Sequence, residues 1–291
     1  MVQFPGYRLL AGLAVMLSAG STVVVAATPA AAASNLVTAF GSSPQSGSEP
    51  SKQAEAVCPA DRQVLGGGAD IVGGGHGVRV SVLVPDPAKR SFIVVGTEDA
   101  GGYDGSWTIN AFAVCGTVTG YQVVSAGTAS APGESDVSAQ ADCPAGKKVV
   151  GAGALVRSDP EGHVVLDDVM PDFDLSGVTV EAMHDGFPQS PDETFPVFAY
   201  AICANPQPAQ QMVFSQTAAS PGDKIATVAC PSGTRVHGAG AGLSGALGQA
   251  HLDRIGLNGA DALGGTDVDA RQDLDGTAQN WSAWAFAICA G

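Results

Sequence analysis

The sequence predicts an all-β protein in which three repeated antiparallel sheet units form one pseudo-threefold body. Three observations carry that prediction. A motif opening with Cys58-Pro59 returns at Cys143-Pro144 and Cys230-Pro231, 85 and 87 residues further on in turn, and self-similarity at a fixed spacing marks a repeated structural unit. The segments behind each motif alternate with the period of two that strands have, and after the first 27 residues no run carries a helical apolar stripe. The 39 glycines, 14% charged residues and 6% aromatics suit short strands joined by many turns.

Residues 1–27 read as an export signal. Arg8 supplies the positive end, an apolar small-residue stretch follows, and Val25-Ala26-Ala27 offers a cleavage site, with a second choice in the run 30–33. Gly12, Ser18, Gly20, Ser21 and Thr22 dilute the stretch below the ~20 apolar residues of a spanning helix, so cleavage is favoured over a retained anchor. No later segment is apolar and long enough to span a bilayer, and the expectation is a secreted protein with no membrane span after signal removal. Residues 28–35 are expected to be disordered, followed by unit one at 36–118, unit two at 119–207 and unit three at 208–291, the three forming one domain.

Each unit reads as five strands. The first occupies 36–40, 121–125 and 212–215, and leads through a Ser/Pro/Gly loop to the Cys-Pro motif. The second follows the Cys-Pro motif, carries the apolar pair Val149-Val150, or Val64-Leu65 in the first copy, and ends in a glycine-rich tail. This Gly-x-Gly-Ala tail suits a bulge or a neighbouring backbone packed closely. The third covers 78–84, 164–169 and 252–255, with turns at Pro85-Asp86-Pro87, Pro171-Asp172 and Asn258-Gly259. The fourth covers 92–95, 178–182 and 267–270. The fifth aligns without a gap from Trp107, Phe195 and Trp281 to Cys115, Cys203 and Cys289. Both of its faces are apolar near the cysteine, so that end is expected to be buried on both sides.

Six cysteines in an exported chain imply disulfides. Pairing within units, Cys58–Cys115, Cys143–Cys203 and Cys230–Cys289, closes loops of 57, 60 and 59 residues. Each would contribute roughly 4 kcal/mol in the chain-entropy model. A ring scheme, Cys115–Cys143, Cys203–Cys230 and Cys289–Cys58, respects the repeat equally well. Zinc is disfavoured, because no close pair of cysteines or histidines supplies the ligand spacing. Linkers at 116–120 and 204–211 are short, and one unit would bury little core alone. A single body with a shared core follows, either a three-sheet prism or a trefoil-like barrel.

Three repeats, each with a Cys-Pro-x-Gly turn (Cys143-Pro144-Ala145-Gly146), a Gly-x-Gly strand and a closing cysteine, resemble the vitelline membrane outer layer protein family, which implies a β-prism of three repeated sheets. The pattern also resembles repeats in exported actinobacterial proteins of unassigned activity. The first family's Asp-Asp-Thr-Ala-Leu-Asn-Gly-Ile signature is missing here, so no binding residue is carried over.

Candidate chemistry is sparse. His76, His163, His184, His237 and His251 occupy non-equivalent repeat positions and read as surface or loop residues. Asp253, Asp261, Asp267, Asp269, Asp273 and Asp275 invite a weak calcium reading, but Arg271 stands where an EF-hand needs its first carboxylate. Asp167-Asp168 could be a carboxylate pair for glycoside hydrolysis, although neighbours on a strand point to opposite faces. Gly242-Leu243-Ser244-Gly245-Ala246 misses a nucleophile elbow, and Gly66-Gly67-Gly68 lacks the lysine and helix of a phosphate loop. Trp107, Phe195, Trp281 and Trp284 either stack on sugars or cap the core. A net charge of −15 disfavours nucleic acid. The expectation is a monomeric, non-enzymatic binding or envelope protein without cofactor or metal, its partner an extracellular or cell-wall glycan. A hydrolase assembled only by folding, or a purely structural envelope protein, are the alternatives.

Overall fold

The structure, a computed structural model, describes residues 32–44, 47, 49–157, 163–185, 194–259 and 262–291. The signal segment 1–27 and Asp261 lie outside the described residues. The first unit holds β1 (Ser34–Ser42), β2 (Ser51–Val57), β3 (Gln63–Val72), β4 (Val78–Asp86), β5 (Ser91–Glu98) and β6 (Thr108–Thr117). The second holds β7 (Gln122–Ala129), β8 (Asp136–Asp142), β9 (Lys148–Val156), β10 (Val164–Pro171), β11 (Gly177–His184) and β12 (Pro196–Ala204). The third holds β13 (Gln211–Gln216), β14 (Lys224–Ala229), β15 (Arg235–Ser244), β16 (Ala250–Asn258), β17 (Gly265–Gln272) and β18 (Ser282–Ala290). Among the described residues no helix forms, and hence none is long and apolar enough to cross a membrane. β1 starts at Ser34, within the stretch 28–35 expected to be disordered.

Each unit therefore has six strands rather than five. The strands missing from the sequence reading are β2, β8 and β14, which lie just before each Cys-Pro motif where only a loop was expected. They alternate strictly, but what they bury is weakly apolar: Lys52, Ala54 and Ala56 in β2, Val137, Ala139 and Ala141 in β8, Lys224, Ala226 and Val228 in β14. A period-two pattern written mostly in alanine is a weak hydrophobic signal.

Three six-stranded antiparallel sheets result: sheet I in the order β1-β6-β3-β16-β17-β14, sheet II β7-β12-β9-β4-β5-β2, and sheet III β13-β18-β15-β10-β11-β8. None closes on itself, so the body is prism-like and the barrel alternative falls away. No sheet belongs to one unit. Each takes the first, sixth and third strands of its own unit and the fourth, fifth and second of another. The two halves meet through very few paired residues, such as Ile255 with Ala69 and Val169 with Ala241. From these joints the strands diverge towards the common axis.

On that axis the glycine tails meet. A Cβ on Gly151 would lie 2.0 Å from the Leu65 carbonyl oxygen, one on Gly66 2.4 Å from that of His237, and one on Gly238 2.6 Å from that of Val150. Each glycine touches the backbone of the next unit, a spacing that no side chain survives. The strands bulge at this level, where the pairing slips between Val64 and Gly66 and between Val236 and Gly238. The extra residues, Leu65, Val150 and His237, are fully buried.

The cysteines pair within units, Cys58–Cys115, Cys143–Cys203 and Cys230–Cys289, and the ring scheme does not form. Cys58, Cys143 and Cys230 continue β2, β8 and β14, their amides donating to Arg90, Ser176 and Gly264 of the neighbouring strand or turn. Because β2 lies in sheet II and β6 in sheet I, the first bridge joins two sheets. The second joins III to II and the third I to III, so every pair of sheets is stapled once.

Candidate functional site

Along β6, β12 and β18 the period of two separates an inner alanine face from an outer aromatic one. The inner residues, among them Ala111, Ala199 and Ala285, are fully buried. The outer ones are Asn110 and Phe112, Phe198 and Tyr200, and Trp284 and Phe286. On sheet III the outer face gathers four rings. Phe214 of β13 pairs across the ladder with Phe286. Its ring centroid lies 5.6 Å from Trp284 and 5.7 Å from Phe173, which follows β10. Trp284 and Phe286 stack 6.0 Å apart with their planes 1° from parallel. Phe173 and Phe214 are 71% and 47% exposed, Trp284 is half-buried and Phe286 is buried, so two outward rings stand on a base formed by the other two.

Beside the rings lies a recess of about 230 Å³ whose lining includes Asp168, Met170, Ser244, Trp284 and Phe286. Gly242 makes room for the acid, since a Cβ there would lie 2.3 Å from Asp168 Oδ1. The amide of Leu243 donates to the same oxygen at 3.2 Å. Burial, reinforced by the Glu181 carboxylate opposite, pushes the Asp168 carboxyl up to about 7. Burial also raises Asp167 well above the usual range, with Asp168 and Glu181 adding to it. The raised carboxyl can act as an acid that donates or as a carboxylate that accepts.

The sequence-predicted aromatics part company here. Trp107, Phe195 and Trp281 are 1%, 1% and 0% exposed and cap the core. Lys52 Nζ lies 4.8 Å from the Trp107 ring centroid and Lys224 Nζ 4.3 Å from that of Trp281. The ladder positions of these lysines correspond to Val137 in the second unit, where the cap is Phe195. Only Trp284 stands on an outer face. Phe173, Phe214 and Phe286 escaped the sequence reading, although Phe214 and Phe286 sit in strands it identified, and Asp168 entered it only as half of a carboxylate pair with Asp167. Their convergence needs the pairing of β13 with β18, which a one-dimensional pattern does not contain.

Other expectations change. The ladder between β10 and β11 slips from Leu166 to Asp168, so Asp167 is a bulged residue, and the rule that neighbours face opposite ways fails there. His184, His237 and His251 are buried, contrary to the surface reading. His237 occupies the bulge position of Leu65 and Val150, while His163 and His184 stack at 5.6 Å and face Asp185 at 3.4 and 3.6 Å. Asp253 contacts Arg271 at 3.0 Å and Asp267 contacts Arg254 at 2.8 Å, so two acids of this run are held in ion pairs on the sheet, while Asp273 and Asp275 follow β17. Among the described residues no three His, Cys, Asp or Glu side chains are grouped to hold a metal ion. Gly66, Gly67 and Gly68 lie within β3.

No protein-family model matches the sequence, and no curated protein matches it.

Proposed function

We propose that this chain is a secreted, non-enzymatic glycan-binding protein of the cell exterior, with the outer face of sheet III as its platform. The observation that carries this reading is the outer-face cluster in which exposed Phe173 and Phe214 stand against half-buried Trp284 and buried Phe286 beside the Asp168 recess. Aromatic faces stack on the C–H face of a sugar ring, and a carboxyl able to donate and accept meets its hydroxyl edge. Three disulfides among six cysteines suit an oxidising exterior. The acidic surface disfavours polyanionic partners. A glycan array probed with the mature protein, with and without calcium, tests the reading. Retention of a glycan in wild type that weakens at least ~10-fold in Phe214→Ala or Trp284→Ala is the expected result. No retention under either condition sinks it.

A hydrolytic reading rests on one observation, the raised carboxyl of Asp168 opposite Glu181. Following the retained glycan for new reducing ends separates the two. Turnover lost in Asp168→Asn would replace binding by hydrolysis.

A further inference from the structure

The threefold repeat offers the sheet III platform two related positions, and the ladders identify them. On sheet I, Phe40 stands opposite Phe112 as Phe214 stands opposite Phe286. Ile255 pairs with Ala69 as Val169 pairs with Ala241, which puts Arg254 at the position of Asp168. Asn110 takes the place of Trp284. On sheet II the same logic puts Ser125 where Phe40 and Phe214 stand, and Val82 where the charged residue stands. Its outer aromatics, Phe198 and Tyr200, are both half-buried, and the Arg157 guanidinium lies 6.0 Å from the Phe198 ring centroid. Two of the three outer faces therefore carry an exposed ring beside polar groups, and the third does not.

The sheet I position is a formed recess of about 250 Å³. Phe40 is 67% exposed at its rim. Phe112 lies flat on the sheet because Gly68 leaves room: a Cβ there would lie 2.3 Å from the ring. Asn110 Oδ1 accepts from Ser42 Oγ at 2.6 Å. Arg254 is held from both sides, its Nε 2.8 Å from Asp267 Oδ2 and its Nη1 3.7 Å from Asp70 Oδ1. With its charge balanced in this way the guanidinium is no anion trap. It is one of a set of fixed planar groups, Asn110, Asp70 and Arg254, offering donors and acceptors next to an apolar ring. Paired hydroxyls above the C–H face of a pyranose match that arrangement.

We infer that the outer face of sheet I is a second saccharide site, chemically distinct from that of sheet III, so that one molecule holds two glycan chains at once. This rests on the glycan-binding reading above. The sites lie on different sheets of one disulfide-stapled body, so their separation is fixed and a single chain cross-links without oligomerising. Against a surface bearing many chains, engagement of both sites raises apparent affinity by about 100-fold or more.

The test uses the mature full chain and the oligosaccharide best retained on the array. Titration calorimetry should give two oligosaccharides per wild-type chain, and one per chain in Phe40→Ala and in Phe214→Ala. Wild type should agglutinate beads coated with the same oligosaccharide, and each single variant should lose agglutination while still binding. Both rings are exposed, so neither substitution removes core. One oligosaccharide per wild-type chain, with Phe40→Ala unchanged and Phe214→Ala silent, overturns the inference and leaves the sheet III reading intact. Agglutination that persists in Phe40→Ala also overturns it. Absence of glycan binding in wild type removes both.

Discussion

Substituting Gly151 by alanine tests the axis on which this architecture depends. The new Cβ would lie 2.0 Å from the Leu65 carbonyl oxygen, 2.9 Å from the Leu65 carbonyl carbon and 2.9 Å from Gly66 Cα. All three atoms are backbone, so no side chain can rotate away. Ordinary contact needs a retreat of over ~1 Å by β3 or β9 at a point where all three units touch. Overpacking relieved by side-chain shifts costs about 1–3 kcal/mol, and a clash that only backbone can relieve should reach or exceed ~3 kcal/mol. For a domain of this size that lowers Tm by roughly 6–12 °C. Gly146→Ala is the matched control. Gly146 has φ +82° with nothing within 4 Å of its added Cβ, so alanine there meets only the left-handed backbone cost of about 1–2 kcal/mol. Thermal unfolding followed by circular dichroism, with disulfides intact, compares the two. If Gly151→Ala is as mild as Gly146→Ala, the three glycines are not in backbone contact and the account of the axis is wrong.

Three further outcomes follow from the same structure. His237 is fully buried, neither ring nitrogen has a hydrogen-bond partner, and burial pulls its pKa down to about 4. Its neutral-state stability is present above the unfolded value near 6.5 and is lost as pH falls towards 4, and His237→Leu, the residue at the equivalent Leu65, should abolish that loss and raise stability by ~1 kcal/mol at neutral pH, read by urea titration. Asp168 has the opposite sign: with its carboxyl raised to about 7, stability is fully present below the unfolded value near 3.8 and declines as pH rises through 7. Asp168→Asn should flatten that decline in melts between pH 5 and pH 8, and an unchanged slope would show that the carboxyl is well solvated. Replacing Cys143 and Cys203 together by alanine should cost roughly 4 kcal/mol, because the bridge closes a loop of 60 residues and staples sheet III to sheet II.

Much of the fold was legible because repetition amplified weak signals. One Cys-Pro turn would mean little, but three at near-equal spacing, each with a partner cysteine behind an aromatic strand, pointed to the repeat and the shared body and left two disulfide schemes, of which the structure forms the one within units. The glycine tails announced close backbone approach. β2, β8 and β14 stayed hidden because alanine supplies their buried face. The site was less legible still. Trp107, Phe195, Trp281 and Trp284 look alike along the chain, yet three fill the core and one stands outside. A two-residue offset on a strand leaves the facing unchanged for Trp284 and Phe286, whereas the three-residue offset from Trp281 to Trp284 reverses it.

By itself, the sequence determined what local chemistry and repetition encode: an all-β chain, three equivalent units, six cysteines available to bridge, and glycines where backbones must meet. Only the tertiary structure decided that each unit divides itself between two sheets, that each disulfide staples a different pair of sheets, and that Phe173, Phe214, Trp284 and Asp168 share one surface. The physical reason is that strand pairing is a long-range choice. It depends on which edges meet around a common axis, and residues such as Asp168 and Leu243, 75 positions apart, become neighbours only when that axis closes.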